Sequence, residues 1–224
     1  MSNTNNNFNQ EILIKRNSLI QGDCLEVMAQ LPTRSINFVL TDPPYLVNYK
    51  SRDGRKILND DNSNWLKPAF AEIYRVLGRN GFCVSFYGTN QVDKFIAAYR
   101  EAGFSIEGHF TFAKRYSSSS HFVRRQHECA FLLAKGHPKK PSNVIGDVID
   151  MQYSGNKLHP TQKPISALLP LIESFCEPQG IVLDPFAGSG STLLAAKMLN
   201  RSYLGIELDK NYHAIATKRL QMSS

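Results

Sequence analysis

The chain has 224 residues, 42% hydrophobic and 20% charged, and its 26 Lys and Arg against 19 Asp and Glu give a formal net charge of +7. That length accommodates one sizeable α/β core without requiring two domains, and the basic balance suits a polyanionic partner. Cys24, Cys83, Cys129 and Cys176 are too widely spaced for a C-x-x-C metal pair or a disulfide framework, and no apolar run is long enough to cross a membrane.

The amino terminus, MSNTNNNFNQ, lacks a basic-then-apolar signal pattern, so residues 1–17 read as a disordered or extended lead and the protein as unexported and cytoplasmic. A strand over 18–21 and a helix over 25–30 follow, with Asp23 placed to cap the helix. The stretch NFVLTDPPYLVNYK then runs from a buried strand, 37–41, into Asp42, Pro43, Pro44 and Tyr45. Two prolines fix φ and remove N–H donors, so the chain leaves the sheet in a stiff loop. At a strand's carboxyl end that loop offers a carboxylate, a main-chain carbonyl and an aromatic face, which suit a flat ring bearing an exocyclic amine. A plain strand-ending turn is the alternative reading.

Residues 51–64 read as a loop, 65–77 as a helix, 82–87 as a strand and 91–102 as a helix. Alternation over 104–114 and 127–135 predicts a β pair, joined by a loop that contains the serine run 117–120. From His109 to Lys140 there are Lys114, Arg115, Arg124, Arg125, Lys135, Lys139 and Lys140 against the single acid Glu128. That cluster reads as a track for phosphates, or as a solvated basic edge strand, with His121 and His127 as hydrogen-bonded loop or core residues. Residues 136–159 form a second loop, and 165–175 a helix.

In GIVLDPFAGSGSTLLAAKMLNRSYLGIELD, a strand over 181–184 meets a glycine turn, a helix over 191–199 and a strand over 203–207; a last helix spans 211–221. Strand, glycine turn and helix let a ligand approach the backbone beside a helix amino terminus. The pattern is neither G-x-G-x-x-G nor a P-loop, and Asp184 would repel phosphate while attracting an ammonium. Glu207, about twenty residues on, stands where an acid binds ribose hydroxyls. S-adenosylmethionine (AdoMet), with amino group, sulfonium, ribose and adenine, fits that pair; a structural βαβ unit without a ligand is the other reading.

DPPY at 42–45 and DPFAGSG at 184–190, in that order, resemble the catalytic and cofactor motifs of β-group DNA amino-methyltransferases. GDCLEVMAQLP, HPTQKP at 159–164 and YLGIELDKNYHAIATKRL fit the same group, so the resemblance covers nearly everything after residue 17. It implies an α/β, circularly permuted AdoMet-dependent methyltransferase fold, Rossmann-like, with a mostly parallel seven-stranded sheet and an antiparallel edge hairpin. One methyltransferase domain would span 18–224, with a short target-recognition insertion around 136–159. Asp184, Phe186, Gly188 and Gly190 would hold the methionine and form the turn, and Glu207 would hold the ribose. Thr161 and Lys163 would approach the methionine carboxylate, Asp23 would lie near the cofactor adenine or simply cap its helix, and His159 would be structural, with no metal.

By the same resemblance Asp42 and the Pro43 carbonyl would accept from the target amine, and Tyr45 would stack on a base flipped out of double-stranded DNA. An acid at position 42 favours adenine N6 over cytosine N4. Methylation of a protein glutamine amide and a catalytically inactive nucleic-acid-binding relative are further alternatives. Lys114, Arg115, Arg124 and Arg125 would contact DNA, and a homodimer and a cognate restriction enzyme are the other partners considered.

Overall fold

The computed structural model describes residues 15–49, 54, 57–117, 122–155 and 158–222. The expected lead lies outside these residues up to position 14, as do His121, most of the serine run and part of the 51–64 loop.

Among the described residues eight strands form one sheet: β1 (Ser18–Gln21), β2 (Ile36–Thr41), β3 (Leu77–Phe86), β4 (Ser105–Ala113), β5 (His127–Ala134), β6 (Val148–Asp150), β7 (Ile181–Asp184) and β8 (Ser202–Glu207). Their spatial order is β1-β8-β7-β2-β3-β5-β4-β6. All neighbours are parallel except that β5 runs antiparallel to both β3 and β4. The sheet therefore holds one strand more than the sequence predicts. β6 pairs with the outer side of β4, so the β4–β5 hairpin is not the sheet edge. Three residues with exposed Val148 and Asp150 at the ends carry too short an alternation to read as a strand.

Helices α1 (Cys24–Ala29), α2 (Leu66–Val76), α3 (Val92–Ala102), α4 (Ile165–Phe175), α5 (Ser191–Met198) and α6 (Lys210–Met222) follow the predicted order within a residue or so at their ends. Period-two alternation divides the strand side chains between two cores. Val39, Cys83, Leu183 and Ile206 pack with α1, α2 and α3, whereas Phe38, Leu40, Val84 and Val182 pack with α4 and α5. In α2, Leu66, Ala69, Phe70, Ile73 and Val76 recur at helical spacing and bury a single stripe. Lys135, counted with the basic cluster, is buried: its Nζ donates to Tyr74 O at 2.5 Å and Leu77 O at 2.6 Å, neutralising the carbonyl end of α2.

Both faces are thus covered, and ligand access is left to the carboxyl ends of the parallel strands. No described helix is long and apolar enough to cross a membrane.

Candidate active site

β2 lies between β3 and β7, with Phe38 opposite Val182 and Val39 opposite Leu183. The acids that end these two strands, Asp42 just beyond β2 and Asp184 at the end of β7, therefore open onto one crevice although far apart in the chain. β8 follows on the other side of β7 and brings Glu207. The resulting open cleft has a volume of about 1000 Å³. Asp42, Pro43, Pro44 and Tyr45 line it, as do Asp184, Phe186, Gly188 and Glu207; Thr161, Lys163 and His159 line it too. Of the expected catalytic and cofactor residues, Asp23 and Gly190 do not, nor do the four expected DNA contacts Lys114, Arg115, Arg124 and Arg125.

The loop after β2 is held from several directions. Leu46 and Asn48 adopt φ of 60° and 51°, a left-handed conformation that a branched leucine enters only under constraint. Asp60, 1% exposed, supplies the constraint: its carboxylate accepts from Tyr49 N at 2.6 Å and Val47 N at 3.3 Å, and its carbonyl accepts from Asn48 N at 3.0 Å. Gly88, after β3, lies so close that a Cβ there would meet the Tyr45 carbonyl oxygen at 2.6 Å. Nothing in the sequence reading singled out Asp60 or Gly88.

Asp42 has two partners. The Tyr45 hydroxyl donates to Oδ1 at 2.7 Å, and Lys163 Nζ donates to Oδ2. Burial raises the Asp42 carboxyl above its ordinary range, and the Lys163 ammonium offsets only part of that. Lys163 was expected beside the methionine carboxylate; instead its side chain, 6% exposed, bridges Asp42 and Glu128, with Nζ 3.1 Å from Glu128 Oε2 and 3.2 Å from the Tyr45 hydroxyl. Two carboxylates thus face one buried ammonium. Burial alone would lower the Lys163 pKa, but Asp42 and Glu128 together raise it. Glu128 in turn takes Lys114 Nζ at 2.5 Å, and despite the burial that pushes it up, the two lysines hold its carboxyl down at about 2. Lys114 is 9% exposed, so it faces this ion chain and not solvent, which corrects its expected place on the DNA surface.

The facing lobe is built on the glycine turn. Asp184, 2% exposed, accepts from Phe186 N at 3.1 Å; burial drives its carboxyl up to about 7, with hydrogen bonds from Thr192 and Phe186 offsetting part of the rise. Phe186 packs edge-on against Trp65, ring centroids 5.0 Å apart. Gly188 has φ of 53°, and a Cβ there would point at the His159 ring 3.6 Å away. Gly190, φ 79°, starts α5 and lets it approach Ala216, where a Cβ would sit at 3.1 Å. Glu207 accepts from Gly188 N at 2.7 Å and from Asp209 N at 2.8 Å. His159 stacks edge-on against Tyr212 at 4.2 Å and pairs through Nδ1 with the Thr161 hydroxyl at 3.1 Å. Asp23 caps α1, accepting from Leu25 N at 2.7 Å.

Arg115, Arg124 and Arg125 are exposed around the loop that joins β4 to β5, beside the exposed Phe122 and Val123. Because β5 is antiparallel, this loop leaves the sheet on the same side as the strand ends that carry Asp42 and Asp184. Arg115 pairs with Asp150 at 3.4 Å across exposed surface, and Arg125 reaches Asn90 at 3.5 Å. Among the described residues no group of three His, Cys, Asp or Glu could hold a metal ion.

A doubly wound sheet with an acid-ended β2 and an acid-ended β7 over one cleft is the architecture of a DNA methylase. A family model described as DNA methylase matches residues 36–218, and the chain belongs to that family. YubD of Escherichia coli (strain K12), described as a methylase, is 53% identical over 201 residues, covering 90% of this chain and 88% of YubD. The DNA adenine methyltransferase YhdJ from the same organism is 27% identical, over 92% of this chain and 83% of YhdJ. Among solved structures, M1.HpyAVI in complex with SAM superposes with a TM-score of 0.73 at 26% identity, over 91% of this chain and 98% of that one. The cytosine-N4-specific PvuII DNA methyltransferase shares the fold, with a TM-score of 0.74 at 19% identity over 93% of this chain and 91% of that one.

Proposed function

We propose that the chain transfers a methyl group from AdoMet to the exocyclic N6 amine of adenine in a short DNA target, after the base is flipped from the duplex. The observation that carries this reading is the pairing of β2 with β7, which sets a hydrogen-bond acceptor loop and an acid-glycine turn against one cleft.

The cleft residues fit AdoMet. Asp184 is a buried carboxyl with no cation beside it among the described residues, and an ammonium would restore its charge. Gly188 leaves free the space that a Cβ would fill, and each Glu207 oxygen, having accepted one N–H, keeps a lone pair for a ribose hydroxyl. Thr161 would stand at the methionine end, and Asp23, capping with one oxygen, would offer the other to the cofactor adenine. When bound, AdoMet supplies an electrophilic methyl carbon with a neutral thioether as leaving group.

The chain's own residues do the rest. An adenine amine is a weak nucleophile because its lone pair is delocalised into the ring. Asp42 and the Pro43 carbonyl accept its two N–H groups, favouring a pyramidal nitrogen and stabilising the positive charge that grows on it. Tyr45 both stacks on the base and orients Asp42 through its hydroxyl. The proton leaves the methylated nitrogen toward Asp42, whose burial makes it a better proton acceptor than a surface aspartate. Outside the cleft, Arg115, Arg124 and Arg125 supply phosphate contacts, and the 136–159 segment contributes to target reading.

Purified protein incubated with methyl-labelled AdoMet and, separately, DNA, RNA and protein tests the reading. Label should enter DNA alone, and nucleoside digestion should release N6-methyladenine. N4-methylcytosine in its place would overturn the base assignment, and label in protein would overturn the substrate class.

A further inference from the structure

The Asp42 carboxylate begins a row of alternating charge, Asp42, Lys163, Glu128, Lys114, in which the lysines are buried and the acids part-buried. The row draws on four elements of the fold. Asp42 follows β2, Lys163 leads into α4, Glu128 lies in β5 and Lys114 just follows β4. Lys163 donates to Asp42 Oδ2 and to the Tyr45 hydroxyl, and its Nζ lies 3.1 Å from Glu128 Oε2 in an ion pair. Its charge is therefore shared between two carboxylates.

We propose that Glu128 is a positioning residue for methyl transfer, acting through Lys163 to set how strongly Asp42 accepts from the target amine. The inference rests on the methyltransferase reading above, and its logic is electrostatic. A full ammonium spent on Asp42 alone would satisfy the carboxylate and oppose the positive charge that grows on the attacking nitrogen. With Glu128 drawing Lys163 from the far side, the ammonium is shared, and Asp42 keeps more of its acceptor strength for the target amine while its titration is held higher than Lys163 alone would set it. Lys114 completes the row and keeps Glu128 charged. The other ionisable groups that bear on the pair are Tyr45, Tyr99 on α3, Tyr116 after β4 and Asp184 on β7; none of these brings a second cation to Asp42.

Removing the Glu128 charge should act on catalysis and leave cofactor binding alone. In Glu128→Gln, kcat should fall about 10- to 100-fold, the loss expected for one charge-assisted interaction, while the AdoMet Kd stays within about twofold. Lys163 would then pair more fully with Asp42 and the like charge of Glu128 would be gone, so the Asp42 titration should move to lower pH. The acid limb of the kcat profile should move with it. Since Glu128→Gln strands the buried Lys114, the double variant Lys114→Met/Glu128→Gln is made alongside it and should show the same kcat loss and the same displaced limb. The Asp42 carboxyl is also followed by carbon-13 NMR in the wild type and both variants, a readout that needs no substrate. A folded double variant with wild-type kcat and an unmoved Asp42 titration would overturn the proposal, as would a loss confined to thermal stability. A wild-type protein that methylates no DNA but shows the Asp42 displacement in the variants would refute the methyltransferase reading and leave the Glu128–Lys163–Asp42 coupling standing.

Discussion

Asp42 already holds a hydroxyl on one oxygen and an ammonium on the other, yet each oxygen keeps a lone pair for a further donor. Asp42→Ala removes that acceptor without touching the glycine turn. Methylation should slow by roughly 30- to 1,000-fold, as for loss of one strong transition-state contact of about 2–4 kcal/mol, while calorimetry finds AdoMet affinity near wild type. Asp184 predicts a different signature. Its carboxyl rises from 3.8 to about 7 on folding, so between those values the folded protein holds a proton that the unfolded chain has released. Stability contributed by this group is therefore present at low pH and lost as pH climbs through that window. Asp184→Asn should make the cofactor-free protein more stable than wild type at pH 8 by about 1–4 kcal/mol, a difference that vanishes near pH 4, as urea unfolding would measure. The same variant should bind AdoMet more weakly, since the ammonium loses its counter-charge; unchanged affinity would remove Asp184 from the methionine site. Both acids were legible because each closes a short apolar run within a contiguous motif. Glu128 was not, since its role exists only once β5 pairs beside β3 and brings it to Lys163; in sequence it is one acid in an alternating strand. The contacts of Lys163 with Asp42 and Glu128 were hidden for the same reason.

At the scale of elements, the stiff loop after β2 depends on a neighbour as much as on its own prolines. Gly88 follows β3 against Tyr45, and an alanine methyl would collide with the Tyr45 backbone, which the Asp60 clamp leaves little room to yield. Gly88→Ala should therefore shift the acceptor loop and reduce kcat/KM about 100-fold, the cost of a displacement near 1 Å at a reacting group, while AdoMet binding persists. Steady-state kinetics with a cofactor titration checks this, and wild-type kinetics would mean the loop has slack. All six helices and seven of the eight strands were readable from the sequence pattern. β6 was not, because it owes its existence to the free edge of β4 and not to its three residues. The hairpin was found as a pair, but its place inside the sheet is decided by that same long-range pairing.

The whole molecule carries +7, but the net figure hides where the cations are. Of the basic cluster on the hairpin, Lys114 and Lys135 are buried, one in the ion chain behind Asp42 and the other at the carbonyl end of α2. Sequence counting credits both to the DNA face because a strand's inward and outward lysines look alike until the sheet is assembled. Arg115, Arg124 and Arg125 remain exposed between β4 and β5, on the side of the sheet where the strands carrying Asp42 and Asp184 end. Phosphate neutralisation releases counterions, so each arginine in contact steepens the salt dependence of binding by about 0.9 in the log–log slope. Replacing all three by alanine should weaken DNA binding and flatten that slope by about 2–3, with kcat at saturating DNA changed little. Lys135→Met should leave the slope untouched and lower the unfolding midpoint, since it uncaps α2. Fluorescence anisotropy across a salt series, run on both variants, separates the two classes of cation. A triple variant with the wild-type slope would show that DNA reaches the cleft by another face, and a flattened slope in Lys135→Met would show that burial does not keep that lysine from the phosphates.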